Sequence, residues 1–256
     1  MSRRADLAAQ LREVPAAELE AWLEARSGLP GPRANLELLD AVGDVVAAER
    51  LLAWSELTPQ AAPSGTSREY LPVCGVAGIG RLLVEAGAGA EGSEPLLAPL
   101  LAPLLGRLLA AASDPRWRVR EAVAIALQRW GDAGMAPLLA ATDRWADSSD
   151  RLVQRAVVAA LCEPRLLREP ATAAHVARTL DAITATLAGA PDRRSEPYRV
   201  LRQALAYGWS VAVAADPLPG WATFGRWVDS DDPDVAWLVR QNLGKRRMPP
   251  RPVTLS

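Results

Sequence analysis

The stretch Ser113–Trp130, SDPRWRVREAVAIALQRW, limits what this chain can fold into more than any other, because its phrasing returns downstream. Asp114 offers an N-cap carboxylate, and Pro115 stands at the first helical position, where a missing N–H costs nothing. Val119, Val123, Ala126, Leu127 and Trp130 then fall on one side of a helix of period 3.6, with Arg116, Arg118, Glu121, Gln128 and Arg129 mostly on the other. Related phrases follow as DRLVQRAVVAAL at 150–161, YRVLRQALAYGWSVAVA at 198–214 and DDPDVAWLVRQNL at 231–243. Aligned on Arg120, Arg155, Arg202 and Arg240, they lie 35, 47 and 38 residues apart, the spacing of stacked helical hairpins. Alternating apolar and polar positions are not seen, and Ala and Leu dominate the apolar residues, so the chain reads as all-α.

The same reading divides the chain. Helices are expected on either side of Pro15, over Asn35–Leu52, and over REYLPVCGVAGIGRLLVEAG, with an exposed loop at Thr58–Ser67. The glycines of GVAGIG have the wrong order for a dinucleotide loop and no strand before them. Small residues at 74, 75, 77 and 78 instead let two helices approach closely. AGAGAEGSEP, at 86–95, reads as a linker between an acidic helical region at 1–88 and a repeat region at 95–245. A basic, Pro-rich tail occupies 246–256. Residues 1–100 carry 8 Arg against 14 Asp and Glu, whereas residues 101–256 carry 21 basic and 16 acidic side chains. The second half is thus permissive for an acidic partner without being a polycation.

Asp114, Pro115, Val119, Arg120, Ala126 and Leu127 are the positions at which this sequence resembles the second helix of HEAT repeats. The resemblance covers about 96–245 and implies an α-solenoid of HEAT-like helical hairpins, each burying its apolar face against its neighbours. Such a fold hosts many functions. A narrower similarity is to the DNA-alkylation-repeat proteins, HEAT-like glycosylases in which a Trp precedes a catalytic Asp by one helical turn. Here Trp117 is followed by Glu121, WADSSDRLVQRAVV places Arg155 on that family's phosphate-contacting Arg, and Gly208-Trp209 matches a later Gly-Trp. The resemblance implies removal of alkylated, cationic purines, with Glu121 stabilising charge that develops on the sugar. Departures are the Glu in place of Asp and Arg116 where that family tends to have an aromatic residue.

Familiar catalytic signatures are missing: His175 is the single histidine, and no H-E-x-x-H, G-x-S-x-G or Walker motif occurs. Cys74 and Cys162 are isolated, so neither a disulfide framework nor a metal site is expected, nor any cofactor. Pro95–Ala112 is too short and interrupted to span a bilayer, and no secretory signal opens the chain, so a cytoplasmic protein without a membrane partner is expected. Nine tryptophans stand against one phenylalanine, seven of them after residue 100. They serve either as core filling or, interleaved with arginines, as a stacking and cation–π surface. The expectation is a non-enzymatic interaction module. Trp117, Arg120, Arg155, Arg202, Trp209, Trp237 and Arg240 would line a concave face that receives an acidic partner, DNA and RNA among the candidates. A glycosylase acting through Glu121 and a protein–protein scaffold are the alternatives.

Overall fold

The computed structural model describes residues 3–88 and 94–252, except for the side chains of residues 94–98 and 100. Among these residues all regular structure is helical. The chain forms two compact units, Met1–Ala133 and Gly134–Ser256. Of the linker expected at 86–95, residues 89–93 lie outside the described residues.

The first unit contains α1 (Arg3–Glu13), α2 (Leu19–Arg26), α3 (Leu36–Val45), α4 (Ala48–Ser55), α5 (Tyr70–Ala88), α6 (Glu94–Ala112) and α7 (Trp117–Ala133). Its centre is α5, which packs against α3, α4, α6 and α7. Among the described helices α5 is the one long and apolar enough to cross a membrane, and thirteen of its nineteen residues are buried inside the unit. The small residues of GVAGIG make this packing feasible. A Cβ on Gly75 would lie 2.4 Å from the Ser55 nitrogen and 2.6 Å from the Leu51 carbonyl of α4, and one on Gly80 would lie 2.5 Å from the Ala126 carbonyl of α7. Backbone therefore approaches backbone on two sides of α5.

The single helix expected over Asn35–Leu52 is two. Val46 and Ala47 are extended, ending α3 and opening α4. No proline or turn glycine marks this break. Arg81 of α5 receives it: its guanidinium donates to the Gly43 carbonyl at 2.7 Å and the Val46 carbonyl at 2.6 Å, capping groups that a helix terminus leaves unpaired. Buried Arg116 plays the same part for the loop expected to be exposed at 58–67. It donates to the carbonyls of Leu57, Thr58 and Ala62 while its remaining N–H groups engage Asp114. The Asp114 carboxylate also accepts the Arg116 backbone N–H, and α7 begins at Trp117.

The second unit contains α8 (Met135–Ala146), α9 (Arg151–Leu161), α10 (Pro170–Leu187), α11 (Glu196–Ala215), α12 (Pro217–Phe224) and α13 (Pro233–Leu243). They form consecutive helix pairs: α8 with α9, α10 with α11, and α12, through a 3-10 turn at Gly225–Trp227, with α13. Across pairs, α10 packs on α8 and α12, while α11 packs on α9 and α13, giving the two layers of a helical-repeat stack. Contacts fix the directions within the second layer. Arg151 faces Tyr198, and Gly208 rests on Val158 and Cys162, so α9 and α11 run parallel. Tyr198 meets Asp234 and Leu205 meets Asn242, so α11 and α13 do as well. Asp232, before Pro233, accepts from Asp234 and Val235 N–H, and Asp150 accepts from Leu152 N–H, whereas at Asp114-Pro115 the helix starts two residues later than expected, at Trp117. Ser195 accepts from Tyr198 N–H at the start of α11.

Candidate functional site

Parallel packing of α9, α11 and α13 brings their three N-terminal ends side by side, and the charged residues there pair from one helix to the next. Arg151, the first residue of α9, donates to both carboxylate oxygens of Asp192 in the loop before α11, at 2.9 and 3.1 Å. It also lies 5.4 Å from the centre of the Tyr198 ring. One repeat later, Arg193 bridges Asp232 and Asp234 at the head of α13. Arg202, from the second turn of α11, reaches the same Asp234, and Tyr198 donates its hydroxyl to it at 3.0 Å.

These partners set the charge states. The Arg151 guanidinium holds the Asp192 carboxyl below the usual carboxylate range. Arg193 lowers Asp232, assisted by backbone N–H groups of Gly189, Val235 and Asp234, against some desolvation. Burial tends to raise Asp234, but donors from Arg193, Arg202 and Tyr198 outweigh it and the net direction is down. Burial and the hydrogen bond to Asp234 push the Tyr198 phenol upward. Asp192, Asp232 and Asp234 are therefore anionic near neutral pH.

This arrangement redistributes the residues singled out from sequence. Arg202 is committed to Asp234, and its guanidinium carbon lies 4.3 Å from the centre of the half-buried Trp237 ring. Arg240, three residues past Trp237 and therefore one turn along the same side of α13, is exposed. Of the residues singled out from sequence, Arg202 and Trp237 are in contact. Arg155 is half-buried on α9. Arg120 differs from expectation: it is 6% exposed and donates to the Asp114 and Pro115 carbonyls at 2.8 and 3.3 Å, tying down the entry to its own helix. Arg120 and Arg202 are thus committed to acceptors within their own units.

Trp209 also departs from expectation. It is fully buried, with its indole N–H on Thr184 Oγ1 at 3.0 Å and its ring 5.2 Å from that of Phe224. Trp54, Trp130, Trp145, Trp221 and Trp227 are buried too, so most tryptophans fill cores. Trp117 is 48% exposed. One face of its ring is covered by the Arg118 guanidinium at 4.4 Å, which also donates to buried Glu69 and to the Gly31 carbonyl. Glu121 follows one turn on, half-exposed and engaged in an interaction of its own.

Sequence reasoning missed Arg151, Asp192, Arg193, Tyr198 and Asp234. A usable signal was present: each aspartate lies just before or within the first turn of a layer helix, where carboxylates are favoured, and each arginine lies one repeat upstream.

No family model matches this sequence, and no curated protein matches it. Among solved structures, a designed armadillo repeat protein is 15% identical, with 93% of this chain and 97% of that chain covered and a TM-score of 0.38. A second, solved in complex with the peptide (KR)4, is 14% identical over 94% and 98% with a TM-score of 0.37. An engineered protein is 16% identical over 95% and 96% with a TM-score of 0.36. At these scores the likenesses carry no weight beyond the helix pairs described above.

Proposed function

We propose that this chain is a HEAT-like helical-repeat interaction module without catalytic activity of its own, and that its ligand is an acidic partner. The observation that carries this reading is the second-unit group in which the Arg202 guanidinium lies over Trp237 with exposed Arg240 one turn away. Its carboxylate neighbour fixes Arg202 in place before any ligand arrives, which lowers the ordering cost of binding. Arg240 is left to meet an incoming anion. The ion pairs between α9, α11 and α13 keep this surface rigid, as a recognition platform requires.

The glycosylase reading has less support. A cationic purine would have to stack on Trp117, and the Arg118 guanidinium already covers one face of that ring with like charge. The two readings separate by assay. The interaction module should be retained on immobilised heparin at low salt and elute as salt rises, with Trp237→Ala and Arg240→Glu eluting earlier. Flow-through of the wild type at low salt would remove the acidic-partner reading. Release of alkylated purine from methylated DNA, lost in Glu121→Gln, would replace it with the enzymatic one.

A further inference from the structure

Beyond Asp234 the sequence contains no carboxylate side chain, yet it carries Arg240, Lys245, Arg246, Arg247 and Arg251. Arg240, Arg246, Arg247 and Arg251 are exposed and Lys245 is half-exposed. None of the five has an ion pair among the described residues, in contrast to Arg151, Arg193 and Arg202 of the same unit. Like charges concentrated in one short segment repel one another and favour an anionic partner.

Residues 244–249 are held to the second unit by backbone and side-chain hydrogen bonds. Gly244 N–H closes α13 on the Arg240 carbonyl, Lys245 N–H bonds to Asn242 O at 3.0 Å, and Met248 N–H bonds to Lys245 O at 2.9 Å. The Trp221 indole of α12 donates to Pro249 O at 3.1 Å. Arg247 lies over the Tyr207 ring of α11 at 4.7 Å. Buried Asn242 locks the end of α13 to α11, donating to Leu205 O and accepting from Ser210 N–H. That register puts Leu243, at the end of α13, at about the level of Tyr207 on α11, and both are exposed, by 43% each.

We infer that this C-terminal edge of the second unit, residues 240–251 with Tyr207, is a docking strip for an acidic, amphipathic protein segment. The inference rests on the acidic-partner reading and names where and what the partner is. Guanidinium groups match carboxylates in bidentate geometry. The two exposed apolar side chains near the cations offer contact to a segment alternating carboxylates with leucine-like residues, which a phosphate backbone cannot use. The Tyr207 ring is occupied on one face by Arg247, which disfavours its use as a stacking platform for a base.

The test uses fluorescence anisotropy with the full chain and two labelled probes, a synthetic helical peptide of Glu and Leu and a single-stranded oligonucleotide of equal net charge. The peptide should bind more tightly than the oligonucleotide. Arg246→Glu with Arg247→Glu should weaken it on the order of tenfold or more, as should the milder double Gln variant in direction. Leu243→Ser should weaken the peptide and leave the oligonucleotide unchanged. Tighter binding of the oligonucleotide would overturn the inference in favour of nucleic acid. Unchanged peptide affinity in the charge variants would overturn the strip while leaving an acidic partner bound elsewhere. Binding of neither probe by the wild type would end both readings.

Discussion

Arg202 of α11 reaches forward one repeat to Asp234 of α13, and the two side chains tie parallel helices together at their N-terminal ends. Asp234 accepts from Arg193 and Tyr198 as well, so one carboxylate gathers three donors from the preceding repeat. Parallel alignment is what makes such a rung feasible: the start of each layer helix faces the start of the next.

The rung should therefore be worth more than an ordinary surface pair. Asp234→Asn keeps the shape and removes the charge, leaving donors around a weaker acceptor, and should destabilise the chain by roughly 1–3 kcal/mol in urea unfolding. Arg240→Gln, on the exposed side of the same helix, should stay within about 0.5 kcal/mol of wild type. Equal effects of the two would mean that the rung contributes nothing particular.

Acid should loosen the same contacts. Asp44, which accepts from Arg4 of α1 and Arg129 of α7, and Asp192, Asp232 and Asp234 all have folded-state pKa values below their ordinary ones. A depressed carboxylate contributes stability that is fully present above its unfolded value, near 4, and lost as pH falls through the folded value. Unfolding midpoints should hold steady from neutrality down to about pH 5 and then fall steadily below about pH 4. In Asp232→Asn that acid limb should be shallower. A wild-type midpoint unchanged down to about pH 2.5 would contradict the pairing.

Two glycine positions should respond in opposite directions. Gly75→Ala puts a methyl against the backbone of α4, so α4 and α5 must separate, at a cost of about 1–3 kcal/mol or more. Gly106 is exposed in α6 with nothing within 4 Å of a built Cβ, and Gly106→Ala should stabilise by about 0.5–1 kcal/mol. Thermal melts of both variants check the sign.

Neither thiol should react in the native state. Burial pushes the Cys162 thiol up to about 12, and Cys74 is raised in the same direction by burial. A disulfide reagent at mildly alkaline pH should titrate no thiol until denaturant is added, and both afterwards. Rapid labelling of either cysteine without denaturant would show that its helix opens readily.

Local chemistry in the sequence determined the helices and most of their starts. Asp150, Ser195 and the Asp232-Pro233 pair cap as their side chains dictate, because capping is settled within three residues. The periodic Val, Ala and Leu positions were legible for the same reason, as was the packing use of Gly75 on α5, though not that of Gly80. The partner of each arginine was not. Arg81 pairs with carbonyls at a helix end 35 residues upstream, Arg116 is buried under a loop over 50 residues away, and Arg202 belongs to Asp234. A guanidinium on a long side chain reads the same in sequence whether it faces water, a carbonyl or a carboxylate. Only the packing of helices distant in the chain supplies the acceptor, and so decides which cations remain for a partner.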